Sequence, residues 1–563
     1  MDEIEEKDFL DMTQEIVKEF LQTVVIIDDE ASFQIEVDEE KIVKKVKKPP
    51  KVGNVEEKEI LKEDKDRSTH LLNAKSVTDS FASLGITCSI LNPNKDEKDL
   101  LGNAINSARR SDVVLIDWMI HSDIGNKAKE IIKKIIKDDS EKDRLRLIVI
   151  YTGEPNIKKI ASEIKTTMNK HLNITSESDT GDDFSFSYGK LKITVYAKED
   201  VKLADDIKDR ALSFEKLPES LIKEFSDMTV GIISNVTLES ISTLRKNTHL
   251  ILGRLNQDLD PPYLSHRALL PYPDDAMQHA IDIVSSEFYS LLQNYEIGRY
   301  ADKKIISAWI KFNEKKGKNF CCNIKDSKVD IKSDDICEIQ ENGVGNSNWL
   351  KNYVDKRWNK AEEKNKEKHK QYIAEHIYKD LTETFCLNEE DPFKVNCKFA
   401  ILTSMKSYYK NSSYEPALTL GSVVKDEKGK FWICIQPRCD SVRIEDTRSF
   451  LFLPLIIIEG DKKFDFVICE KDENFIKVRI NNSIYNAKFF NFKVKSENES
   501  TIKASKNKRK NLHFKTSDGN KMKWICELKP EHAQRIANKF GSNITRVGLD
   551  ESEWLRRFST DFS

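Results

Sequence analysis

Glycine is scarce in this chain of 563 residues, which has only 19 of them. None lies in a G-x-x-x-x-G-K-[ST] loop or a G-x-G-x-x-G turn, the two glycine-rich patterns that cradle nucleotide phosphates. The sequence therefore offers no recognisable ATP-binding loop.

Metal-binding cysteine pairs, a strong net charge and long apolar runs are also missing. The ten cysteines include no C-x-x-C pair, and the lone C-x-x-x-x-C of Cys434 and Cys439 has no histidine cluster beside it, which disfavours zinc and indicates reduced thiols. The net charge of −3 gives no overall basic field for nucleic acid. No apolar run approaches the roughly 20 residues of a membrane-spanning helix, and the acidic N-terminus lacks a signal-peptide core. We expect a cytoplasmic protein without membrane contact.

The first two hundred residues do contain four apolar runs that end in acids, a hydroxyl or a lysine. Such runs are typical of buried parallel strands, and ligand sites in open α/β sheets lie at the carboxyl ends of those strands. The runs and their terminal residues are Val24–Ile27 with Asp28 and Asp29, Val113–Ile116 with Asp117, Leu147–Tyr151 with Thr152, and Ile193–Ala197 with Lys198. We expect these polar side chains to converge in one crevice.

This set of residue types suits the transfer of a phosphoryl group to an aspartate. Such a transfer needs a positioned acceptor, a cation and hydrogen-bond donors for the phosphoryl oxygens. Mg²⁺ prefers one or two carboxylates with waters and phosphate oxygens, so Asp28, Asp29 and Asp117 are the expected metal ligands. Asp117 is the expected acceptor, with Thr152 and Lys198 contacting the phosphoryl oxygens. Alone, the aspartate pair would equally suit a helix cap.

These residues resemble the receiver domains of two-component response regulators. The segment Leu115–Met119, with Gly125 following, is similar to the phosphorylation motif of chemotaxis-type receivers. The resemblance implies a flavodoxin-like fold with a five-stranded parallel sheet. It also implies Asp117 as the phosphorylated residue, an acid pair at Asp28 and Asp29 for Mg²⁺, a switch hydroxyl, and a lysine.

Several positions depart from the receiver pattern. Glu199 stands after the lysine in place of proline, and Val195 stands where receivers have an aromatic switch residue, while the neighbouring Tyr196 should face the other side of the sheet. The two positions that tune acyl-phosphate lifetime in receivers correspond to Met119 and Glu154. Because an apolar Met119 would position attacking water poorly, we expect slow self-dephosphorylation.

The pattern along the chain predicts four regions. Residues 1–202 form an α/β domain in which strands and helices alternate, interrupted by a charged insertion at about 32–68. A helical connector spans 203–312, and a polar linker with a long charged helix spans 313–397. Residues 398–563 form a β-rich, barrel-like domain.

Two features of the last region suggest other chemistry. Asp518 with Glu527 and Lys529 mimics the carboxylate-and-lysine set of metal-dependent nucleases, although a plain strand is the more common explanation. The basic run 503–510, flanked by Phe490, Phe492 and His513, could track a nucleic-acid backbone, or simply be a solvated loop.

We therefore predict a phosphorylation-responsive regulatory protein, with no enzymatic activity beyond its own phosphoryl acceptance. Its phosphodonor would be a separate histidine kinase or a histidine-kinase-like ATPase. The whole chain also resembles bacterial "response receiver domain" proteins from operons suspected of antiviral defence, through Cys434–Asp440 and Gln534-Arg535. The alternatives are a receiver-controlled nuclease and a degenerate receiver that docks a partner ATPase.

Overall fold

A computed structural model of the chain describes residues 8–33, 72–93, 99–172, 182–324, 327–387, 391–409, 413–460, 462–470, 473–495, 500–507 and 511–544. It divides into two compact units: Met1–Phe320 with Asp330–Gln371, and Cys321–Val329 with Tyr372–Ser563. The charged insertion predicted at about 32–68 lies outside the described residues from position 34 onward. The four-region division stays a prediction.

The first unit contains a seven-stranded sheet and a separate two-stranded one. Their strands are β1 (Thr23–Ile27), β2 (Ala31–Ser32), β3 (Leu72–Asn73), β4 (Thr87–Leu91), β5 (Val113–Ile116), β6 (Arg146–Thr152), β7 (Ser185–Tyr188), β8 (Leu191–Lys198) and β9 (Ala211–Leu212). The large sheet has the order β4-β1-β5-β6-β8, with all neighbours parallel. Counting only these five strands, the order is 2-1-3-4-5, which is the flavodoxin-like arrangement.

The expectation of a purely parallel, five-stranded sheet is corrected by two additional strands. β7 pairs antiparallel with β8, and the short β9 pairs parallel with the end of β8. β7 and β8 form a hairpin whose turn contains Gly189 at φ 61°, a left-handed conformation that tight hairpin turns require. The sheet is therefore mixed, with a parallel centre.

Helices cover both faces of this sheet. The helices of this part are α1 (Phe9–Phe20), α2 (Ala74–Ser83), α3 (Leu100–Ala108), α4 (Asn126–Lys142), α5 (Ile157–Leu172), α6 (Leu217–Thr229) and α7 (Ile232–Lys246). Alternate strand residues face opposite sides: Val25 and Ile27 join a core with α3, α4 and α5, whereas Val24 and Ile26 join a core with α1, α2, α6 and α7. Helix α6, which the sequence pattern assigned to the connector, thus packs on the sheet.

The rest of the first unit is helical. Its helices are α8 (Thr248–Arg254), α9 (Asp260–Leu269), α10 (Ala276–Asn294), α11 (Lys303–Lys315), α12 (Ser333–Asn342) and α13 (Asn348–Arg357). The Asp260-Pro261-Pro262 segment opens α9, because proline is tolerated in the first helical turn. A long helix, α14 (Glu363–Phe385), runs across the division between the two units.

The second unit is β-rich and antiparallel. Its elements, with the hairpin that precedes α12, are β10 (Cys321–Ile324), β11 (Ser327–Asp330), α15 (Pro392–Ser404), β12 (Ser422–Lys425), β13 (Phe431–Cys434), β14 (Thr447–Ile457), β15 (Phe466–Cys469), β16 (Phe475–Ile480), β17 (Lys488–Lys493), β18 (Ser505–Lys506), β19 (Leu512–Lys515), β20 (Lys521–Glu527) and α16 (Pro530–Ile544). The nine-stranded sheet has the order β15-β16-β14-β13-β12-β20-β19-β18, and β17 also pairs with β14.

An isolated β-bridge connects β17, which pairs with β14, to the residue that follows β19. Phe492 at the end of β17 pairs with Thr516, just after β19, and the Ser517 N–H donates to the Asn491 carbonyl at 2.7 Å. The side enclosed by these strands is filled with aromatic rings, among them the fully buried Phe450 and Phe452. A barrel-like closure stays a prediction.

In the described part of the chain, no helix combines the length and the apolar character that a bilayer crossing requires.

Candidate phosphoryl-acceptor site

The polar residues predicted from the strand ends meet at one edge of the first sheet. β1, β5, β6 and β8 are consecutive parallel neighbours, so their carboxyl ends share that edge. The Lys198 ammonium lies 2.8 Å from Asp28 Oδ2 and 3.8 Å from Asp117 Oδ1. All three side chains are buried. Residues far apart in the chain are therefore joined in one charged cluster.

Both the backbone and the carboxylate of Asp117 are fixed by hydrogen bonds to backbone groups. Its N–H donates to the Ile27 carbonyl at 2.9 Å, and its Oδ2 accepts from the Met119 N–H at 2.9 Å. Burial raises the pKa of the Asp117 carboxyl to about 7, and Asp28 and Asp29 push it the same way, while Lys198 and the Met119 N–H oppose the shift. The Lys198 ammonium thus contacts two carboxylates, and with Asp29 the site carries more negative than positive charge.

Lys198 shows the complementary effect. Burial alone lowers the pKa of this ammonium, but the nearby carboxylates of Asp28 and Asp117 outweigh it, so its pKa lies above the ordinary value. The lysine is therefore charged and fixed by Asp28, within reach of the Asp117 carboxyl.

Asp29 is oriented by a loop that the sequence analysis did not single out. Its Oδ2 accepts from the His121 N–H at 2.8 Å, while its buried Oδ1 has no hydrogen-bond partner. His121 has φ 55° and Ser122 φ 58°, uncommon values for residues with side chains. The His121 ring contacts the Pro93 carbonyl at 2.9 Å. No sequence signal marks a backbone donor of this kind.

The loop after Asp117 is shaped by Trp118 and Gly125. Gly125 has φ 69°, and a Cβ there would lie 2.1 Å from the buried Trp118 ring. Only glycine fits at this position, so Gly125 has a steric role in the loop that follows Leu115–Met119.

Thr152 ends β6 at the same edge. The register places it opposite Ala197, one residue before Lys198. Its buried Oγ1 accepts from the Glu154 N–H at 3.2 Å. The hydroxyl is thus tied to the loop that follows β6.

A family model described as the response receiver domain matches residues 20–203. This segment is a receiver domain. Neither the curated proteins nor the solved structures searched contain a significant match to the chain. The fold and the strand-end residues thus agree with the family of the N-terminal region.

The receiver domain's acidic cluster suits Mg²⁺ by its donors. Asp29 Oδ1 is a buried carboxylate oxygen without a partner, and carboxylate oxygen is the ligand type that Mg²⁺ prefers. The described residues contain no group of three or more acidic, histidine or cysteine side chains arranged as a metal cage. The ligand set of Asp28, Asp29 and Asp117 therefore stays a prediction.

Val195 and Tyr196 lie on opposite faces of the sheet. Val195 packs in the core with α3 to α5, and Tyr196 in the core with α6. The Tyr196 hydroxyl donates to Glu224 Oε1 at 2.5 Å, and the Lys192 ammonium lies 2.6 Å from Glu224 Oε2. The aromatic residue next to the switch position therefore connects β8 to α6.

The nuclease-like set is not assembled. Asp518 lies in the turn before β20 and Glu527 at the far end of that strand, roughly 20 Å apart at 3.3 Å per residue. Glu527 pairs with Lys406 at 2.6 Å, and the Lys529 ammonium donates to the Leu402 carbonyl at 2.8 Å. These three residues cannot hold one metal ion together.

The basic run 503–510 is only partly described, since Lys508, Arg509 and Lys510 lie outside the described residues. Of the flanking aromatic residues, Phe492 is fully buried and Phe490 packs on the same core. Phe492 therefore cannot stack on a base as the sequence suggested.

Proposed function

We propose that this protein is a phosphorylation-responsive regulator whose receiver domain accepts a phosphoryl group on Asp117. The observation that carries the proposal is the position of the Lys198 ammonium, which lies 2.8 Å from Asp28 and 3.8 Å from Asp117. A buried oxygen of Asp29, at the end of the same strand as Asp28, has no partner. A bound cation would balance this surplus of carboxylates and the further negative charge that a phosphoryl group adds.

In this proposal each residue has one task. A carboxylate oxygen of Asp117 attacks phosphorus, the bond from phosphorus to the donor's nitrogen breaks, and an acyl phosphate forms. Lys198 pairs with a phosphoryl oxygen, and the Thr152 hydroxyl donates to another. Asp28, Asp29 and Asp117 would hold Mg²⁺, which neutralises charge on the transferred group when bound. Since the chain offers no glycine-rich nucleotide loop, a histidine kinase or a related ATPase would supply the phosphoryl group.

The response would start at two connections. The Thr152 hydroxyl accepts from the Glu154 N–H and would donate its O–H to a phosphoryl oxygen, which would reorient the hydroxyl and so bias the loop after β6. Lys198 lies on the strand whose Lys192 and Tyr196 hold Glu224 of α6. Two states of this strand would thus change α6 and the helices after it.

The second unit would be the effector or partner-binding part, with a barrel-like sheet. A cytoplasmic role in bacterial antiviral defence, beside a histidine-kinase-like ATPase, belongs to the same proposal and rests only on the resemblance of the whole chain.

The test is intact-mass spectrometry after incubation with acetyl phosphate and Mg²⁺. We expect one added phosphoryl group in the natural protein and in Asp143→Asn, a control at a side chain that is 81% exposed. Asp117→Asn should gain none.

Two results would contradict the proposal: no gain in the natural protein, or a gain that Asp117→Asn retains. Either would favour the alternative of a degenerate receiver that docks a partner ATPase. That alternative predicts capture of the ATPase by the natural protein and Asp117→Asn alike.

A further inference from the structure

Helix α10 buries unusually little of its surface. Of its 19 residues, only Ala276 and Leu291 are buried. A helix of this length in a globular unit normally buries one apolar stripe. The apolar residues of α10 are therefore the feature to explain.

These apolar residues follow a strict spacing. Met277, Ile281, Val284, Phe288 and Leu291 are separated by four, three, four and three residues, the period of a coiled-coil seam. The first four are exposed, with relative exposures of 59%, 59%, 38% and 41%. The stripe is thus open to solvent over about 16 Å, at 1.5 Å per residue.

The chain packs against other parts of α10. His279 lies on the side opposite the stripe, and the centroid of its ring is 4.7 Å from that of His266 on α9, with the two rings tilted by 46°. Glu287, at the flank, pairs with Arg254 on α8 at 3.0 Å. The neighbouring helices therefore hold α10 from behind and from the flank.

We propose that this stripe is the contact through which two copies of the chain associate, with α10 packed against α10. A two-fold contact places the same surface on both partners, so that surface must be compatible with itself. The stripe carries no charge, the small residues Ala280 and Ser285 flank it, and the charge of Glu287 is balanced within the chain. Two copies can thus meet without like-charge repulsion.

The apolar area that the stripe exposes indicates how strongly two copies can associate. Four partly exposed apolar side chains present on the order of 400 Å², about the largest apolar patch of a typical monomer. A standard interface buries about 800 Å² per partner. Because the stripe offers only about half of that area, we expect a weak, reversible dimer, and the test covers micromolar concentrations. This inference does not depend on the proposed phosphorylation.

The experiment is sedimentation of the full chain from about 1 to 200 μM, a range that brackets a micromolar Kd. The mass of the natural protein should rise from 65.1 kDa toward twice that value. Ile281→Glu should stay monomeric over the whole range. Ile283→Glu is the matched control: it is 37% exposed on the same helix but off the stripe, and it should dimerise normally.

Circular dichroism of each variant checks that the helices are formed, and Met277→Lys replaces Ile281→Glu if that variant fails to fold. A natural protein that stays monomeric throughout would overturn the proposal and assign the stripe to a different partner. So would a dimer that forms equally well with Ile281→Glu.

Discussion

Single residues of the site divide into those that a sequence can reveal and those that it cannot. Asp28, Asp117 and Lys198 each follow an apolar run, and parallel strands carry such ends to one edge, so their meeting could be predicted. The His121 N–H that holds Asp29 could not. It depends on left-handed backbone at His121 and Ser122, which residue types other than glycine do not signal.

Met119 should control how long the acyl phosphate lasts. Its side chain is half-buried and packs on the apolar core below Asp117, so it cannot orient an attacking water. We expect Met119→Asn to speed the loss of the phosphoryl group about tenfold, equivalent to about 1.4 kcal/mol in the barrier. The measurement is the decay of the phosphorylated mass after removal of acetyl phosphate.

Met119→Leu is the control and should decay like the natural protein. Equal rates in all three proteins would show that Met119 does not limit water attack. This prediction rests on the proposed phosphorylation, so it is tested only after Asp117→Asn has lost the added mass.

At the scale of elements, the apolar runs were predictable and the two added strands were not. The four runs named from the sequence lie in the parallel strands β1, β5, β6 and β8. β7 and β9 have four and two residues, too few for a clear period. The place of α6 depends on which sheet face needs cover, and that is a property of the tertiary fold.

A buried ion pair stabilises the start of β6. The Arg146 guanidinium makes two hydrogen bonds to Asp139, at 2.6 and 3.0 Å, and others to the carbonyls of Ala108 and Ser111. Because Arg146→Met would leave the buried Asp139 unpaired, we expect it to lower the free energy of unfolding by about 3–5 kcal/mol. Chemical denaturation measures this difference.

Two further variants distinguish the cost of leaving one buried charge unpaired from the loss of an ion pair in general. In Arg146→Met with Asp139→Leu no buried charge remains, so much of the loss should be recovered. Arg109→Met breaks an ion pair with Asp138 on the surface and should cost far less. If Arg146→Met lowers the free energy of unfolding no more than Arg109→Met does, the buried pair does not have the stabilising role argued for it.

At the scale of the whole molecule, the match to the receiver family ends earlier in the chain than the folded unit does. The match ends at residue 203, but Leu217, Leu221 and Phe225 of α6 are buried on the sheet. Helix α7 adds polar contacts: Asn235 donates to Thr13 at 3.0 Å, and Arg245 pairs with Asp112 at 3.0 Å. The cooperative unit should therefore extend through α7.

Truncation tests this extent. A fragment of residues 1–203 would uncover the α6 side of the sheet and leave the buried Lys192 without Glu224. Three large apolar side chains are worth about 1.5–3 kcal/mol each, a large part of the 5–15 kcal/mol that stabilises a typical domain. We expect fragment 1–246 to unfold in one sharp thermal transition with native near-ultraviolet circular dichroism, and fragment 1–203 to show neither. If 1–203 unfolds as sharply and at the same temperature, α6 is a separate element that merely rests on the receiver domain, and a signal at Asp117 would need another route to the later helices.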